Sequence, residues 1–290
     1  MNWKAKKVLV SGSEGMIGKE LVEQLKKLEV KGNLSEDGPR ETDIKWFNGN
    51  GHDLRDIETC EYCLDGIDYV FHLAGVKGNP KMTNERPVDF MGPMLQFDTN
   101  MILTAQKAGV KRFLYTSSIA VENPESDKYP AWAKKTGETL IEAMRIQYPK
   151  GTKYCIVRPS NVYGRYDNFD NKNSMVVTTF IRASMENKML ILDKEGSQQI
   201  RDFINSKDVA RGMIKAMEEM PDKPVNLCSG QDTSIEYLAE LVTAIFHIPI
   251  EYRNLYTTLG PSKKVMKSPY IEPQISLEKG IKEVIEYAKS

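Results

Sequence analysis

VSGSEGMIGKEL, residues 10–21, joins an apolar run at 6–12 to an amphipathic helical pattern through three glycines. Gly12 allows a tight turn from strand to helix, and the absence of side chains lets a pyrophosphate approach the backbone N–H groups at the helix start. Gly18 allows the helix to pack closely on the strand, and Gly15 lies midway between Gly12 and Gly18 in the sequence. The spacing is GxxGxxG and not GxGxxG, but its place after a first strand predicts dinucleotide binding.

Apolar strand-like runs alternate with helical patterns over the first two-thirds of the chain. The predicted strands are 6–12, 43–47, 67–75, 111–118 and 153–159, and the predicted helices are 16–28, 94–108 and 132–147. This alternation is typical of βαβ units, in which helices cover both faces of a parallel sheet. The later part is less regular, with a predicted strand at 187–193 and predicted helices at 206–219, 234–246 and 276–289. The polar segment 31–43 is predicted to be an exposed loop.

The 290 residues contain 40 Lys plus Arg and 40 Asp plus Glu, without a long block of one sign. Because nucleic acids and anionic membranes need a concentrated positive surface, this balance argues against both as the main partner. No apolar run approaches the length of a membrane span, and the amino terminus enters a strand-like run without room for a signal peptide. We therefore expect a cytoplasmic protein.

The chain has four cysteines, of which Cys60 and Cys63 form a CxxC in a segment that is predicted to be a short helix. No second pair completes a zinc site. We expect buried or half-buried thiols and no metal.

Further motifs follow the glycine loop in a defined order. They are HDLRD (52–56), HLAG (72–75), Asn100, YTSS (115–118), Lys134 with Glu138, RPSNVYG (158–164) and IRDFINSKDVA (200–210). Over about residues 6–245 the chain resembles the extended short-chain dehydrogenases/reductases, and among them the NAD-dependent epimerase/dehydratase family that acts on nucleotide sugars. The last two motifs are much more specific than the glycine loop.

The resemblance implies an α/β fold, a Rossmann-type doubly wound parallel sheet with a smaller, discontinuous carboxy-terminal lobe that covers the sugar nucleotide. We expect the NAD(P)-binding domain at 1–164 with a return segment at 199–228. The substrate lobe is expected at 165–198 and 229–290.

The resemblance also implies where the cofactor binds. The implied residues are Gly12, Gly15, Met16, Ile17, Gly18, Asp53, Leu54, Leu73, Ala74, Gly75, Ser117 and Lys134. Asp53 would accept a hydrogen bond from the adenine amino group, or alternatively cap a helix that starts at Arg55.

The choice between NAD and NADP depends on the end of the second strand, where an acid would bind the ribose 2′-OH and select NAD. Candidates for the NAD contact are Asn33, Glu36 and Asp37, whereas Lys31 and Arg40 would suit the phosphate of NADP. We expect NAD, with NADP not excluded.

On the substrate side, the resemblance places Asn161 facing the sugar and Arg201 on the substrate diphosphate, for which a guanidinium is well matched. Arg201 could instead be a structural partner of Asp202 or Asp208. Asn100 would lie in a helix beside the active site, or have a polar structural role.

Relatives place a Ser or Thr, a Tyr and a Lys around the sugar carbon that is oxidised. The Tyr removes the hydroxyl proton as a phenolate, so a nearby Lys ammonium and the nicotinamide charge must lower its pKa from about 10. Ser118 takes the Ser role and contacts the substrate, and Lys134 takes the Lys role, fixed by Glu138. The usual spacing is YxxxK, but here Pro130 lies four residues before Lys134 and Tyr129 lies five before it.

Two interpretations of Tyr129 stay open. Pro130 suits the first position of a helix, which would make Tyr129 an extended N-cap residue that points differently from a helical one. Tyr129 is then a displaced catalytic base. In the alternative, the chain is a non-catalytic NAD-binding protein of the same fold.

Catalytic residues of some relatives do not occur in this chain, which narrows the choice of reaction. Dehydratases of the family carry an Asp-Glu pair directly after the Ser or Thr, where this chain has Ile119 and Ala120. Relatives that epimerise carbons 3 and 5 use a Cys in that neighbourhood, and none is present. Epimerisation at C4 or one-way oxidoreduction of a nucleotide sugar therefore remains.

A homodimer is expected, because relatives pair the helices predicted at 94–108 and 132–147 into a four-helix bundle. Met94, Phe97 and Met101 follow helical spacing and are predicted to be exposed there. Alternatively these three residues face the sheet.

Overall fold

A computed structural model describes residues 3–4, 6–28, 53–76, 78, 80–169, 174–186, 189–255 and 269–290. The strand predicted at 43–47 and the loop predicted at 31–43 lie outside these residues. Also outside the described residues are the five candidates for the choice between NAD and NADP, namely Lys31, Asn33, Glu36, Asp37 and Arg40.

The secondary structure alternates as the sequence predicts. The strands are β1 (Val8–Ser11), β2 (Tyr69–His72), β3 (Arg112–Thr116), β4 (Lys153–Pro159), β5 (Asn161–Tyr163), β6 (Leu190–Asp193), β7 (Ile200–Arg201), β8 (Phe203–Asn205), β9 (Val225–Leu227), β10 (Thr233–Ser234) and β11 (Ile250–Arg253). The α-helices are α1 (Met16–Lys27), α2 (Ile57–Leu64), α3 (Pro80–Glu85), α4 (Pro87–Lys107), α5 (Pro124–Gln147), α6 (Val176–Glu186), α7 (Ser206–Glu219), α8 (Ile235–Phe246) and α9 (Leu277–Lys289).

Five of the strands in the described part of the chain form a parallel sheet in the order β1-β2-β3-β4-β9. Val10 pairs with Phe71, which pairs with Leu114, and Val157 pairs with Val225. Because all five strands run in one direction, the residues that follow their carboxyl ends lie along one edge. The predicted α/β fold with a parallel sheet is confirmed.

Both faces of this sheet are buried, which explains why its strands are continuous apolar runs. Leu9, Val70, Phe113 and Ile156 pack with α2, α4 and α5 on one face. On the other face Val8, Val10, Phe71, Leu114 and Val157 pack with α1 and α7. Neighbouring residues of one strand thus belong to different halves of the core.

A third apolar cluster lies in the carboxy-terminal part of the chain, where α6, α8 and α9 pack with β6 and with Phe203 of β8. Two residues that follow β5 connect this cluster to α1. Arg165 donates to Glu20 at 2.8 Å and to Glu23 at 2.5 Å. The Tyr166 hydroxyl donates to Glu23, and its ring contacts the ring of Tyr287 in α9 edge-on.

Helices α4 and α5 differ from their predictions. Met94, Phe97 and Met101 are at most 2% exposed and pack under the sheet, so the prediction that they are exposed is wrong. Helix α5 begins at Pro124, and Lys128 interrupts it with a φ of 39° and a ψ of −105°. The break lies at Lys128, one residue before the predicted N-cap, so Tyr129 is helical and not extended.

The CxxC lies on α2, as predicted, and its two cysteines pack in the protein interior. Cys60 is fully buried and its thiol donates to Leu54 O at 3.2 Å. Burial raises the pKa of Cys60 to about 12 and that of Cys63 to about 11. In the part of the chain that the structure describes, no cluster of His, Cys, Asp or Glu could hold a metal ion. None of the helices described there has the length and hydropathy of a membrane span.

Candidate active site

The glycine loop leaves the amino-terminal end of α1 open to an anion. Gly12 has a φ of +77°, which suits glycine, and Gly15 N–H donates to Gly12 O at 3.1 Å. Gly15 is the N-cap residue of α1, where no side chain accepts from the first turn and no acidic residue occupies it. The N–H groups of this turn therefore lack a side-chain cap and carry the positive end of the helix dipole.

The packing of the loop explains the spacing of its glycines. A Cβ on Gly12 would lie 3.0 Å from Ala74 N and from Leu73 C, and a Cβ on Gly18 would overlap Gly12 O. A Cβ on Gly15 would meet only Gly12 O, at 3.3 Å. The loop is thus closed against β2 and α1 but open at Gly15, which fits the pyrophosphate of a dinucleotide.

The residues after β1, β2 and β3 meet at the same edge of the sheet. Leu73 and Ala74 follow β2 beside Gly12, and Leu73 N–H donates to Ser11 O at 3.0 Å. Ser117 N–H donates to Val157 O at 2.8 Å where β3 ends. The structure therefore brings the predicted glycine loop close to the HLAG segment, with the YTSS segment at the end of the next strand.

Asp53 lies at the start of the segment that leads into α2. Its carboxylate accepts from Arg55 N–H at 2.9 Å and from the Arg55 guanidinium at 2.5–3.0 Å. The hydrogen bond from this guanidinium lowers the pKa of Asp53, against the opposing effect of partial burial. The predicted alternative, in which Asp53 caps a helix that starts at Arg55, is wrong, because α2 starts at Ile57 and Asp56 caps it.

Asn100 has the structural role that the sequence left open. Its amide group donates to Leu54 O at 3.1 Å and to Arg55 O at 2.9 Å. These bonds hold the segment after Asp53 against α4. Asn100 thus supports the implied adenine side of the site through the backbone.

Ser118 caps a short 3-10 helix, Ile119–Glu122, directly after the end of β3. Its hydroxyl oxygen accepts from Ala120 N–H at 3.2 Å, which leaves the hydroxyl hydrogen available to another acceptor. The side chain is half-buried. Ser118 is therefore held at the edge of the sheet, and its hydroxyl donates to no acceptor among the residues that the structure describes.

Glu138 is bound by residues other than Lys134. The buried carboxylate accepts from Ser117 Oγ at 2.6 Å and from the Arg158 guanidinium at 2.6 and 2.8 Å. Lys135 lies 3.7 Å from it. The prediction that Glu138 fixes Lys134 is wrong, because the tertiary contact with β4 takes this carboxylate.

Lys134 is held instead by Asp98 of α4, a residue that the sequence did not indicate. The ammonium lies 3.2 Å from Asp98 Oδ2, and it lies 4.8 Å from the centre of the Tyr115 ring. The first contact is an ion pair, and the second is a cation–π contact. The signal in the sequence was weak, because Asp98, Tyr115 and Lys134 lie on three different elements.

Tyr115, the tyrosine beside Lys134, is unsuited to act as a phenolate base. It is fully buried, and its hydroxyl donates to Asp98 Oδ2 at 2.6 Å. Burial raises the pKa of Tyr115 well above its ordinary value, and the negative charge of Asp98 raises it further. A phenol that donates to a buried anion is a poor source of a base.

Tyr129 lies in α5 directly after the interruption at Lys128, and Pro130 follows it. Its side chain is 39% exposed, and its hydroxyl has no hydrogen-bond partner among the described residues. Pro130 costs the helix little at this point, since the missing N–H falls in the first turn after the break. The structure thus leaves Tyr129 free to take a ligand as a partner and does not itself join it to Lys134.

The residues that the sequence predicts for the substrate side lie around Asp202, which follows β7. The Asp202 carboxylate accepts from Ser160 Oγ at 2.5 Å and from Ser229 and Gly230 N–H at 2.9 and 2.7 Å. The Asn161 side chain donates to Asp202 O at 2.9 Å. These bonds join the ends of β4 and β9 to the RDF segment.

Arg201 is bound within its own strand region. Its guanidinium donates to Ile200 O at 2.8 Å and to Gln199 Oε1 at 2.7 Å. Asp208 pairs with Arg211 at 2.7 Å.

Comparison with known proteins identifies the family of this chain. Residues 8–228 match the NAD dependent epimerase/dehydratase family. GDP-L-fucose synthase 1 of Arabidopsis thaliana is 27% identical to this chain over 323 aligned positions, which cover 99% of this chain and 94% of that protein.

Two solved structures show the same fold. The UDP-glucose 4-epimerase of Thermotoga maritima, solved with UDP-glucose, superposes with a TM-score of 0.81 at 24% identity and covers 98% of each chain. The GDP-D-glycero-L-gluco-heptose synthase of Campylobacter jejuni, solved in the presence of NADPH, has a TM-score of 0.81 at 22% identity and covers 99% of each chain. Both similarities extend over the carboxy-terminal part as well as the parallel sheet.

Proposed function

This chain belongs to the NAD-dependent epimerase/dehydratase family, and we propose that it is an NAD(P)-dependent nucleotide-sugar epimerase or a related sugar-nucleotide oxidoreductase. The observation that carries the proposal is the open amino-terminal end of α1, with Gly15 unobstructed and the HLAG segment beside it. Ser118 lies just after β3, which pairs with β2, and Lys134 lies on α5.

A bound nicotinamide would supply the acceptor or donor of a hydride. The first turn of α1 would bind its pyrophosphate, and Leu73, Ala74 and Gly75 would line the adjoining ribose. Asp53 would meet the adenine. Since its carboxylate also binds Arg55, the remaining lone pairs would accept from the adenine amino group. We propose NAD as the cofactor, and the NADPH present with one solved relative keeps NADP as the alternative.

The chain's own groups would position the sugar and move a proton. Ser118 has a free hydroxyl hydrogen and would donate to the reacting oxygen of the sugar. Lys134 would present its ammonium to the nicotinamide ribose and to that oxygen. We propose Tyr129 as the group that takes the hydroxyl proton, because it is exposed beside the helix break and its hydroxyl is unbound among described residues.

Asn161 and Arg201 would contact the nucleotide sugar from the other side. The guanidinium of Arg201 donates to a backbone carbonyl and an amide oxygen, and we propose that it also binds the substrate diphosphate, for which a guanidinium is well matched. We propose C4 as the reacting carbon. Ile119 and Ala120 lie where dehydratases would carry their acidic pair, so this chain lacks those proton-transfer groups.

One observation favours a second candidate function, a non-catalytic NAD-binding protein. Pro130 lies where a helical partner of Lys134 would be, and the tyrosine that does contact Lys134 is Tyr115, which is buried and bound to Asp98. Cofactor binding would then survive without turnover.

Incubation with UDP-, GDP- and dTDP-hexoses in the presence of NAD or NADPH tests the proposal. We expect one nucleotide class to change the nicotinamide absorbance or to give a sugar epimer that proton NMR detects. Gly15→Asp, which blocks the first turn of α1, serves as the inactive control. Tight cofactor binding without any product from the whole panel would support the non-catalytic alternative, and failure to bind either cofactor would contradict both.

We also propose a homodimer that forms through α4 and α5, by residues other than those first predicted. A stripe runs along α4 through the exposed Val88, the half-buried Leu95 and the exposed Leu103, and an exposed stripe runs along α5 through Trp132 and Ile146. Both stripes consist of uncharged residues at helical spacing. Thr136 and Thr139 lie between the two α5 residues of the stripe. Their hydroxyls donate to Trp132 O at 2.9 Å and to Lys135 O at 3.0 Å, so these hydroxyls need no partner from water.

A further inference from the structure

A continuous chain of buried hydrogen bonds connects the glycine loop to Lys134. Ala74 N–H donates to Ser11 Oγ at 3.3 Å, and the Ser11 hydroxyl lies 2.7 Å from His72 Nδ1. His72 Nε2 lies 2.9 Å from Asp98 Oδ1, and Asp98 in turn binds the ammonium of Lys134. Ser11, His72 and Asp98 are at most 2% exposed.

The direction of each bond follows from Asp98. An ionised carboxylate only accepts, so the hydrogen of the imidazole lies on His72 Nε2, and His72 Nδ1 accepts from Ser11. Burial lowers the pKa of His72 despite its contact with Asp98, which agrees with a neutral ring. Burial alone would raise the pKa of Asp98, but Lys134, His72 and Tyr115 together hold it below its ordinary value.

Both oxygens of Asp98 have partners on the sheet. Oδ1 binds His72, and Oδ2 binds the Tyr115 hydroxyl at 2.6 Å, while the Lys134 ammonium lies 3.2 Å from Oδ2 and 3.5 Å from Oδ1. The Tyr115 ring then lies under the same ammonium. Since His72 and Tyr115 fix the carboxylate from β2 and β3, the position of the ammonium is set by the sheet as well as by α5.

We propose that Asp98 is a positioning residue, which holds the Lys134 ammonium at a fixed place relative to the glycine loop through His72 and Ser11. The role of Lys134 towards a cofactor or substrate rests on the proposed function, whereas its positioning by Asp98 depends only on contacts within this chain. Ser11 directly precedes Gly12 and also binds Ala74, so the residue that anchors the cofactor loops also anchors the lysine.

Other charges near Lys134 are already paired. Glu138 binds Arg158 and lies near Lys135, and Arg158 also lies 3.3 Å from Glu122. Among the described groups that face the ammonium from α4, β3 and α5, Asp98 is therefore the counter-ion. Its removal should leave a largely buried ammonium without compensation.

The first test uses the protein without cofactor, so it does not depend on the proposed function. Unfolding of the wild type, Asp98→Asn, Lys134→Met and the double variant is followed from about pH 7 to about pH 9.5. Without its counter-ion, the largely buried Lys134 ammonium should be disfavoured in the folded state relative to the unfolded state. The unfolded state then binds more protons, so the stability deficit of Asp98→Asn should shrink as the pH rises.

The double variant is the matched reference, since it lacks both charges and should lose this pH dependence. A deficit of Asp98→Asn that is equal at every pH, or one that persists unchanged in the double variant, would overturn the proposal. If Asp98→Asn does not fold, Lys134→Met decides. It leaves the carboxylate uncompensated, so its deficit should shrink as the pH falls towards about 4, and a constant deficit would refute the pairing.

The second test is NADH binding, followed by nicotinamide fluorescence at neutral pH. A misplaced ammonium should weaken binding by roughly tenfold, which corresponds to one charge-assisted hydrogen bond. Asp68→Asn is the control, because Asp68 pairs with the exposed Lys111 at the opposite end of β2. Equal affinity of Asp98→Asn and the control would overturn the positioning role, while failure of the wild type to bind NADH would count only against the proposed function.

Discussion

The guanidinium of Arg158 lies 2.6 Å from the carboxylate of Glu138, and this pair joins the end of β4 to α5. Ser117 Oγ donates to the same carboxylate. Glu138 is fully buried, and Arg158 is only 16% exposed at its side chain. The pair therefore fixes the distance between the strand that ends beside Asn161 and the helix that carries Lys134.

Glu138→Gln is expected to lower the free energy of unfolding by about 3–5 kcal/mol, because it leaves the guanidinium of Arg158 partly uncompensated in the interior. Urea unfolding measures this change. Lys135→Met removes a more exposed charge 3.7 Å from the same carboxylate and should cost less than about 1 kcal/mol. Equal effects of the two substitutions would contradict the assigned role of Arg158.

Gly15→Asp is expected to abolish NAD(H) binding while the fold survives. An aspartate at this N-cap position suits the helix, and its Cβ meets only Gly12 O at 3.3 Å. The carboxylate would, however, occupy the place of the pyrophosphate with the same sign of charge. Calorimetry with NADH measures the loss, and Gly15→Ala, which adds a methyl group without charge, should retain most of the affinity. Undiminished binding by Gly15→Asp would defeat the dinucleotide proposal.

Tyr129→Phe tests the displaced base. If Tyr129 takes the proton, turnover should fall by a factor on the order of 10²–10⁴ with the cofactor affinity unchanged. Lys134→Met should damage both turnover and cofactor binding. Turnover that survives Tyr129→Phe but not Ser118→Ala would mean that another group or a water molecule accepts the proton.

His72 gives the protein a specific pH dependence. Its pKa is lowered by burial, so below the unfolded value near 6.5 the unfolded state binds a proton that the folded state does not. This contribution to stability is present above about pH 6.5 and is lost as the pH falls, by up to about 1.4 kcal/mol per pH unit. Denaturant unfolding from about pH 7.5 to about pH 5 should show this slope, and His72→Gln should remove it. His247→Asn, at an exposed left-handed helix end, should leave the slope intact.

Leu103→Glu is expected to dissociate the proposed dimer, because it places a charge within the uncharged stripe of α4. Sedimentation at micromolar concentration measures the change in mass. Met185→Glu, at a similarly exposed position on α6, should leave the association state unchanged. A wild type that sediments as a monomer would rule out the dimer.

The sequence predicted the parallel sheet because its strands are apolar on both faces and its glycines leave little choice of turn. It did not predict the environment of Lys134. The rule that residues four apart share a helix face paired Lys134 with Glu138, but the contact with Arg158 on β4 binds Glu138 and Asp98 on α4 binds Lys134. Contacts between elements far apart in the chain leave no periodic signal.

A similar limit applies to α4. Helical spacing identified Met94 and Phe97 as one apolar face, but the helix has a second such face through Val88 and Leu103. Spacing alone does not show which face meets the sheet. The volume of the side chains was the better guide, since the large aromatic and thioether groups fill the core.

The pairing of β9 with β4 has a bearing on how the chain folds during synthesis. Val225 lies beside Val157, so the last described strand of the parallel sheet is translated only after the intervening α6 and α7. A nascent chain that ends before β9 would expose the edge of β4, with unpaired backbone groups that invite aggregation. An amino-terminal fragment that ends before β9 would therefore be a poor module for protein engineering.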